Sequence, residues 1–295
     1  MGRGLIVSAA ALAAIAAAGL WVTRAVPDES PDLAALTPDV AHGEQVFLAS
    51  GCASCHAADD AEGEAKLVLT GGHRLQSDFG TFVVPNISSD PEHGIGEWTL
   101  TEFADATRAG VSPDGQHYYP AFPYASYARM TDQDIVDLWA YMQTLPADAT
   151  PSAPHEIGFP FNIRRSVGVW KTLYVDDDWI VEDVATPELE RGRYLVEALA
   201  HCGECHTPRD ALGGLDTSAW LAGAPNPSGR GRIPDLSPPE FDWSAVDIAY
   251  YLETGFTPDF DSAGGSMADV VTNFSQLPES DRAAVAAYIK ALSSE

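Results

Sequence analysis

The sequence predicts an all-α chain: two tandem copies of one small helical domain, joined by an aromatic, proline-rich linker and preceded by an apolar N-terminal segment. Three observations carry this expectation. The pentapeptide Cys-x-x-Cys-His occurs twice, as Cys52-Ala-Ser-Cys55-His56 and Cys202-Gly-Glu-Cys205-His206, and uses all four cysteines of the 295-residue chain. The segments that follow the two pentapeptides repeat one another. Within them the apolar residues recur at helical rather than alternating spacing.

The N-terminus reads Met-Gly-Arg, then runs from Leu5 to Val22, 18 residues, without a charge, then Thr23-Arg24. Such a run exceeds the roughly 7–15-residue core of a cleaved signal and stands at the threshold for a spanning helix. Residues 1–26 are therefore expected to be an export segment retained as a membrane anchor. Cleavage near Ala16-Ala17-Ala18 is the alternative.

The first domain is expected over 37–146 and the second over 187–292. In the first, Pro85-Asn86-Ile87-Ser88 precedes Trp98, and Gly110 lies 12 residues beyond that Trp. In the second, Pro234-Asp235-Leu236-Ser237 precedes Trp243, and Gly255 again lies 12 beyond. Met130, Asp134, Tyr141 and Leu145 match Leu277, Asp281, Tyr288 and Leu292, with Asp, Tyr and Leu spaced by 7 and then 4 in both. That spacing lays the apolar residues along one helical face. Each copy thus predicts a helix leading into its pentapeptide (about 39–55 and 187–205), an irregular wrapping loop, a middle helix (about 101–109 and 244–254), a ligand loop and a closing helix (about 132–144 and 279–292). The linker, 147–186, opens with Pro and Ala turns. It continues through Phe159-Pro160-Phe161, Arg164-Arg165 and Trp170, too aromatic for a free tether.

Cys-x-x-Cys-His is the attachment signature of c-type haem. The two thiols become thioethers on the porphyrin, and the adjoining histidine ligates iron from one side. A four-cysteine zinc site leaves His56 and His206 unexplained, and a disulfide across two intervening residues closes almost no loop. Two covalent haems are therefore expected, on Cys52, Cys55 and His56 and on Cys202, Cys205 and His206. The sixth ligand sets potential and reactivity. For the second haem it is expected to be Met267, in the glycine loop Ser262-Ala-Gly-Gly-Ser-Met267. The position equivalent to Met267 in the first domain, 12 residues after Gly110, is Phe122, which cannot ligate. Met130 is the expected ligand there, with His117 or an open iron as alternatives; Met142 falls inside the closing helix and reads as core. His73, His93 and His155 suit loop roles, and His42 and His201 structural ones.

With 43 Asp and Glu against 16 Lys and Arg, the net charge of −27 disfavours nucleic acid and anionic lipid as partners. A basic protein surface fits better. Asp176-Asp177-Asp178 reads as a solvated turn, and Gly71-Gly72 and Gly213-Gly214 as loop glycines.

Taken together, Gly80-Thr81-Phe82 with Pro85-Asn86-Ile87, Gly94-Ile95-Gly96-Glu97-Trp98, Tyr118 to Tyr124, and Cys202 to Arg209 resemble the membrane-anchored cytochrome c subunits of periplasmic alcohol- and gluconate-type dehydrogenases. The resemblance covers about 39–292. It implies two class I-like cytochrome c domains, electron entry from a periplasmic dehydrogenase, and exit to an oxidase or carrier cytochrome of the respiratory chain, on the periplasmic side of the inner membrane. The sequence departs from the group in two places. Its best-known members look like three-haem chains, and many carry Met where Phe122 stands. The expected function is electron transfer without substrate chemistry. A haem enzyme with one open iron, acting on peroxide or a small sulfur compound, is the alternative.

Overall fold

The computed structural model describes residues 2–28, 32–227 and 231–292, with backbone alone for residues 2–5. The chain begins with α1 (Gly2–Val22). The first half then comprises α2 (Val40–Ala49), α3 (Cys52–His56), α4 (Leu100–Ala109), α5 (Tyr124–Tyr127) and α6 (Asp132–Met142). The linker carries α7 (Val167–Tyr174). The second half comprises α8 (Pro187–Arg193), α9 (Gly203–His206), α10 (Ala245–Thr254), α11 (Ser266–Phe274) and α12 (Glu279–Ala291). Strands are short. β1 (Arg74–Ser77) and β2 (Gly80–Val83) form a hairpin that the linker strand β3 (Glu156–Ile157) extends, and β4 (Ala224–Pro225) pairs with β5 (Arg232–Ile233). Among the described residues no helix is long and apolar enough to cross a membrane.

Local chemistry accounts for the helix ends. Thr99 and Ser244 start α4 and α10 with reciprocal capping boxes to Glu102 and Asp247. Gly110 and Gly255 end these helices in the left-handed region, at φ 58° and 77°. In each half the helix leading into the pentapeptide crosses the closing helix at a glycine. A Cβ on Gly43 would stand 2.0 Å from the Asp137 carbonyl oxygen, and one on Gly192 would stand 2.1 Å from that of Ala284. The backbones therefore touch at two equivalent points, and no larger residue fits either.

The leading helices, expected to be continuous, are broken. In the first half a left-handed Gly51 (φ 63°) separates α2 from α3. In the second, α8 passes into a π-helical turn, Tyr194–Leu199, before His201 (φ 41°) precedes α9. Cys52 lies nine positions after Gly43, whereas Cys202 lies ten after Gly192. The wide turn absorbs the extra residue and keeps the second pentapeptide in place, as π-bulges do elsewhere.

The two halves share one hydrophobic core, running from Leu33, Phe47 and Ile135 through Leu195 and Leu221 to Phe274 and Ile289. Their interface is reciprocal. α5 of the first half packs on the π-helical turn of the second, while its counterpart α11 packs on α2 and α3 of the first. This is the arrangement of an isologous dimer, made within one chain. Polar bonds fasten it: Lys66 Nζ to Asp269 at 2.7 Å, Asn273 Nδ2 to Ser54 Oγ at 3.1 Å, and the Tyr194 hydroxyl to Asp134.

The linker packs as a structured element. Asn86 Nδ2 donates to the carbonyls of Asp148 and Thr150 at 2.7 and 2.9 Å, and Lys171 Nζ donates to those of Ala109 and Gly110 at 2.5 and 2.7 Å, at the C-terminus of α4.

Candidate haem-binding site

Each pentapeptide is one short helical turn with the histidine at its end, so both thiols and the imidazole face one side. The same bonds recur around both. His56 Nδ1 lies 2.9 Å from the Pro85 carbonyl, and His206 Nδ1 lies 2.8 Å from that of Pro234. A carbonyl only accepts, so Nδ1 carries the proton and Nε2 keeps its lone pair for a metal. The Gly71 amide bonds the His56 carbonyl and the Gly223 amide bonds that of His206, both at 2.7 Å. Asn86 and Asp235 turn the Pro-Asn/Asp-Ile/Leu-Ser segments by accepting from Ser88 and Ser237 amides at 2.8 and 2.7 Å. These prolines marked the repeat in the sequence, but their role as histidine acceptors is legible only in the fold.

The donor set fits c-type haem. The four cysteines are free thiols. Burial pushes Cys52 and Cys202 up to about 12, so they are neutral rather than thiolate, unlike zinc ligands or an activated redox pair. Desolvation holds His56 down to about 4 and lowers His206 as well. Both imidazoles are thus neutral ligands. Two thiols and one oriented imidazole per site could hold one haem each.

The two sites lie close to one another. Burial raises Cys55 first, and the neighbouring Cys205 raises it further. The Tyr127 hydroxyl donates to the Ser50 carbonyl at 3.0 Å, and its ring meets that of His201 with centroids 5.7 Å apart. Ser126 Oγ reaches Glu204 at 3.4 Å. Tyr127 and its surroundings, unremarked in the sequence, line the ground between the pentapeptides.

The expected distal residues lie in different settings. Met267 belongs to the first turn of α11 rather than to a loop. It is half-buried there, above Val271 and Phe274 on the same helix. Phe122 is its repeat counterpart: the bridges Val111–His117 and Phe256–Ser262 place both residues at equal distance from equivalent pairs. Met130 is 3% exposed within the shared core, where its own counterpart is Leu277. His117 is buried and turned to the N-terminal segment, its Nε2 3.1 Å from the Thr23 carbonyl. Met142 is core, as expected. His42 joins Asp134 and Asp137, with Nδ1 2.9 Å from Asp137. Its repeat counterpart is the Arg191–Asp281 ion pair at 2.9 and 2.6 Å, so this cluster ties leading helix to closing helix in both halves.

The comparisons with known proteins agree with this geometry. The cytochrome c family profile matches residues 40–146 and again 189–293. A diheme cytochrome c-type protein of Cereibacter sphaeroides is 58% identical over 290 residues, 98% of each chain. The fructose dehydrogenase cytochrome subunit of Gluconobacter japonicus is 37% identical over 277 residues, 91% of this chain and 56% of that subunit. The cytochrome c subunit of the quinone alcohol dehydrogenase of Gluconobacter oxydans is 35% identical over 276 residues, 86% of this chain and 54% of that one. The chain spans about half the length of these two dehydrogenase subunits. With paired attachment sites, a repeated family match and a dihaem relative along its whole length, the chain belongs to the cytochrome c family, as a member that carries two covalent haems and transfers electrons.

Proposed function

We propose that the protein is the electron-conducting partner of a periplasmic dehydrogenase, taking electrons at one haem and passing them through the other to a respiratory oxidase or carrier. The observation that carries this is the nearness of Cys52–His56 and Cys202–His206 across a reciprocal, bonded interface, with Tyr127 reaching Ser50 on one side and His201 on the other. Such a pair needs no domain motion to hand an electron over. The dehydrogenase partner is inferred from the printed roles of the fructose, alcohol and gluconate dehydrogenase subunits to which the chain is similar.

The proposed haem sites are Cys52, Cys55 and His56 in a domain spanning 37–146, and Cys202, Cys205 and His206 in a domain spanning 187–292. Residues 147–186 link them. Met267 is proposed as the distal ligand of the second haem and Met130 as that of the first. Burial supports Met130, as does Tyr127, one turn earlier, whose phenol lies beside Cys52 and Cys55. The core role of its counterpart Leu277 pulls the other way. A single experiment decides: near-infrared and low-temperature spin-resonance spectra of the oxidised wild type and a Met130→Leu variant. Two methionine–iron signatures, one lost in the variant, are expected. One signature in the wild type, with carbon monoxide binding on reduction, refutes Met130 as a ligand and leaves the first iron open.

Residues 1–26 are proposed as an uncleaved anchor that holds the body on the periplasmic face of the inner membrane. Although no helix among the described residues is long and apolar enough to cross a membrane, support comes from the uncharged run from Leu5 to Val22 within the α1 helix. Ile6, Leu12, Ile15 and Trp21 are each at least 65% exposed around it, a pattern that water does not favour and lipid does.

A further inference from the structure

In this acidic chain the end of α1 and the linker meet in a face without acids. Neither residues 2–27 nor residues 159–174 contain Asp or Glu, although the chain has 43 of them. Arg165 fastens the two segments, donating from Nη2 to the Leu20 carbonyl at 2.5 Å and from Nε to Thr23 Oγ1 at 2.9 Å. The first of these satisfies a carbonyl in the last turn of α1 that has no partner within the helix. Gly168 closes against the same point: a Cβ there would stand 2.8 Å from Thr23 Cα. The start of α7 is thus held at the exit of α1.

The outer side of this junction is apolar. Phe159, Phe161 and Ile163 are 80%, 45% and 49% exposed, and Val169 and Leu173, one turn apart on α7, are 45% and 59% exposed. The inner side of α7, Val167 and Gly168, is buried. Around the rim, Arg24 stacks on Trp21 at 4.2 Å and Arg164 on Tyr119 at 4.7 Å. Exposed aromatics and aliphatics beside guanidinium groups are the composition of a membrane interface, where rings sit at headgroup depth and Arg meets phosphate. An 8-residue helix is too short to bind lipid unaided. Tethered at the exit of the proposed anchor, however, it meets the headgroups at high effective concentration.

We propose that residues 159–173 form a lipid-docking face that lies in the headgroup layer beside α1, with a phosphate-bearing bilayer surface as its partner. This rests on the anchor assignment and extends it: α1 fixes the protein to the membrane, and the linker face fixes the orientation of the two haem domains above it. A rigid orientation presents the same haem edge to partners confined to that membrane.

The test uses the full haem-loaded chain in vesicles of phosphatidylethanolamine and phosphatidylglycerol. With the four native thiols held as thioethers, Leu173→Cys supplies one free thiol for a nitroxide label, and Val246→Cys, on the 77% exposed Val246 of α10, supplies the control. Power-saturation spin resonance on the oxidised protein, with each label's signal under nitrogen as its own baseline, compares accessibility to oxygen with accessibility to a water-soluble nickel chelate. The expected result is an oxygen-to-nickel ratio several-fold higher at 173 than at 246. Equal ratios in protein that floats with the vesicles overturn the docking face and leave the anchor standing. A label at 173 shielded from both reagents points to a protein on this face and also overturns the proposal. Protein that fails to float overturns the anchor, and the docking face with it.

Discussion

Replacing Gly43 by Ala sets two effects of opposite sign against each other. On helix propensity alone, Gly→Ala inside α2 stabilises by about 1 kcal/mol. The new Cβ, however, would lie 2.0 Å from the Asp137 carbonyl oxygen, 2.6 Å from its carbon and 2.9 Å from Tyr141 Cβ. Two of these atoms are backbone, so no side chain can swing aside, and α2 and α6 must separate by about 1 Å to restore van der Waals contact. Overpacking of this kind costs typically about 1–3 kcal/mol, and a backbone clash lies at the upper end. The net expectation is a loss of about 2 kcal/mol, or a fall in melting temperature of roughly 4–8 °C when the two halves, which share one core, unfold as a single unit of about 250 residues. Gly192→Ala should behave alike, because its Cβ would meet the Ala284 carbonyl at 2.1 Å. The assay is thermal unfolding of haem-loaded protein followed by far-ultraviolet circular dichroism. A melting temperature unchanged or raised in either variant would refute the close-contact reasoning and leave propensity as the governing effect.

Three further outcomes are expected. Met267→Leu should lower one haem potential by roughly a tenth of a volt or more, on a range of about 0.8 V set by axial ligands, and leave the other in place; a redox titration with both waves unmoved removes Met267 as a ligand. Tyr288→Phe should cost about 1–3 kcal/mol, since the buried Glu197 loses its 2.6 Å donor and Trp220 Nε1 loses its 3.1 Å acceptor; denaturant titration reads the loss, and an unchanged midpoint counts against the network. His155 accepts from the Val83 amide at 3.1 Å in its neutral form, and burial lowers its folded value below the ordinary 6.5. The unfolded state then takes up the proton more readily, so this contribution to stability is full above about pH 6.5 and fades as the pH falls through the folded value. His155→Gln should flatten the acid limb of a melting-temperature profile, and an identical limb would show that other groups govern it.

The helices that bear the motifs were legible because burial of one face imposes a period. The 7-then-4 spacing of Asp134, Tyr141 and Leu145, and of Asp281, Tyr288 and Leu292, located α6 and α12 and exposed the repeat. Cys52–His56 and Cys202–His206 were legible because haem attachment demands fixed residues at fixed spacing. What escaped was set by tertiary contact. The glycines of Ala263-Gly264-Gly265 suggested that Met267 lay in a loop, whereas Met267, Val271 and Phe274 share one face of α11, with Val271 set against Gly255 of its own half. That i, i+4, i+7 pattern was present, but it was short and followed two glycines. The π-helical turn could be seen only as one surplus residue before Cys202. The nearness of the pentapeptides had no local signature at all, since it depends on Ser54, Asn273, Tyr127 and His201 meeting across distant parts of the chain.

The reciprocal interface has a consequence for how such a chain can change over time. α5, α11 and the shared core set the separation of the two haem sites, and the linker adds to it, since Lys171 bonds the Ala109 and Gly110 carbonyls of the first half while Trp170 and Tyr174 bond Leu212 and Asp210 of the second. Exposed positions between Pro146 and Thr186 that make no such bond can vary without disturbing the conducting pair. Selection can then shape that stretch for the surroundings of the protein, while the path of the electron stays as the interface built it.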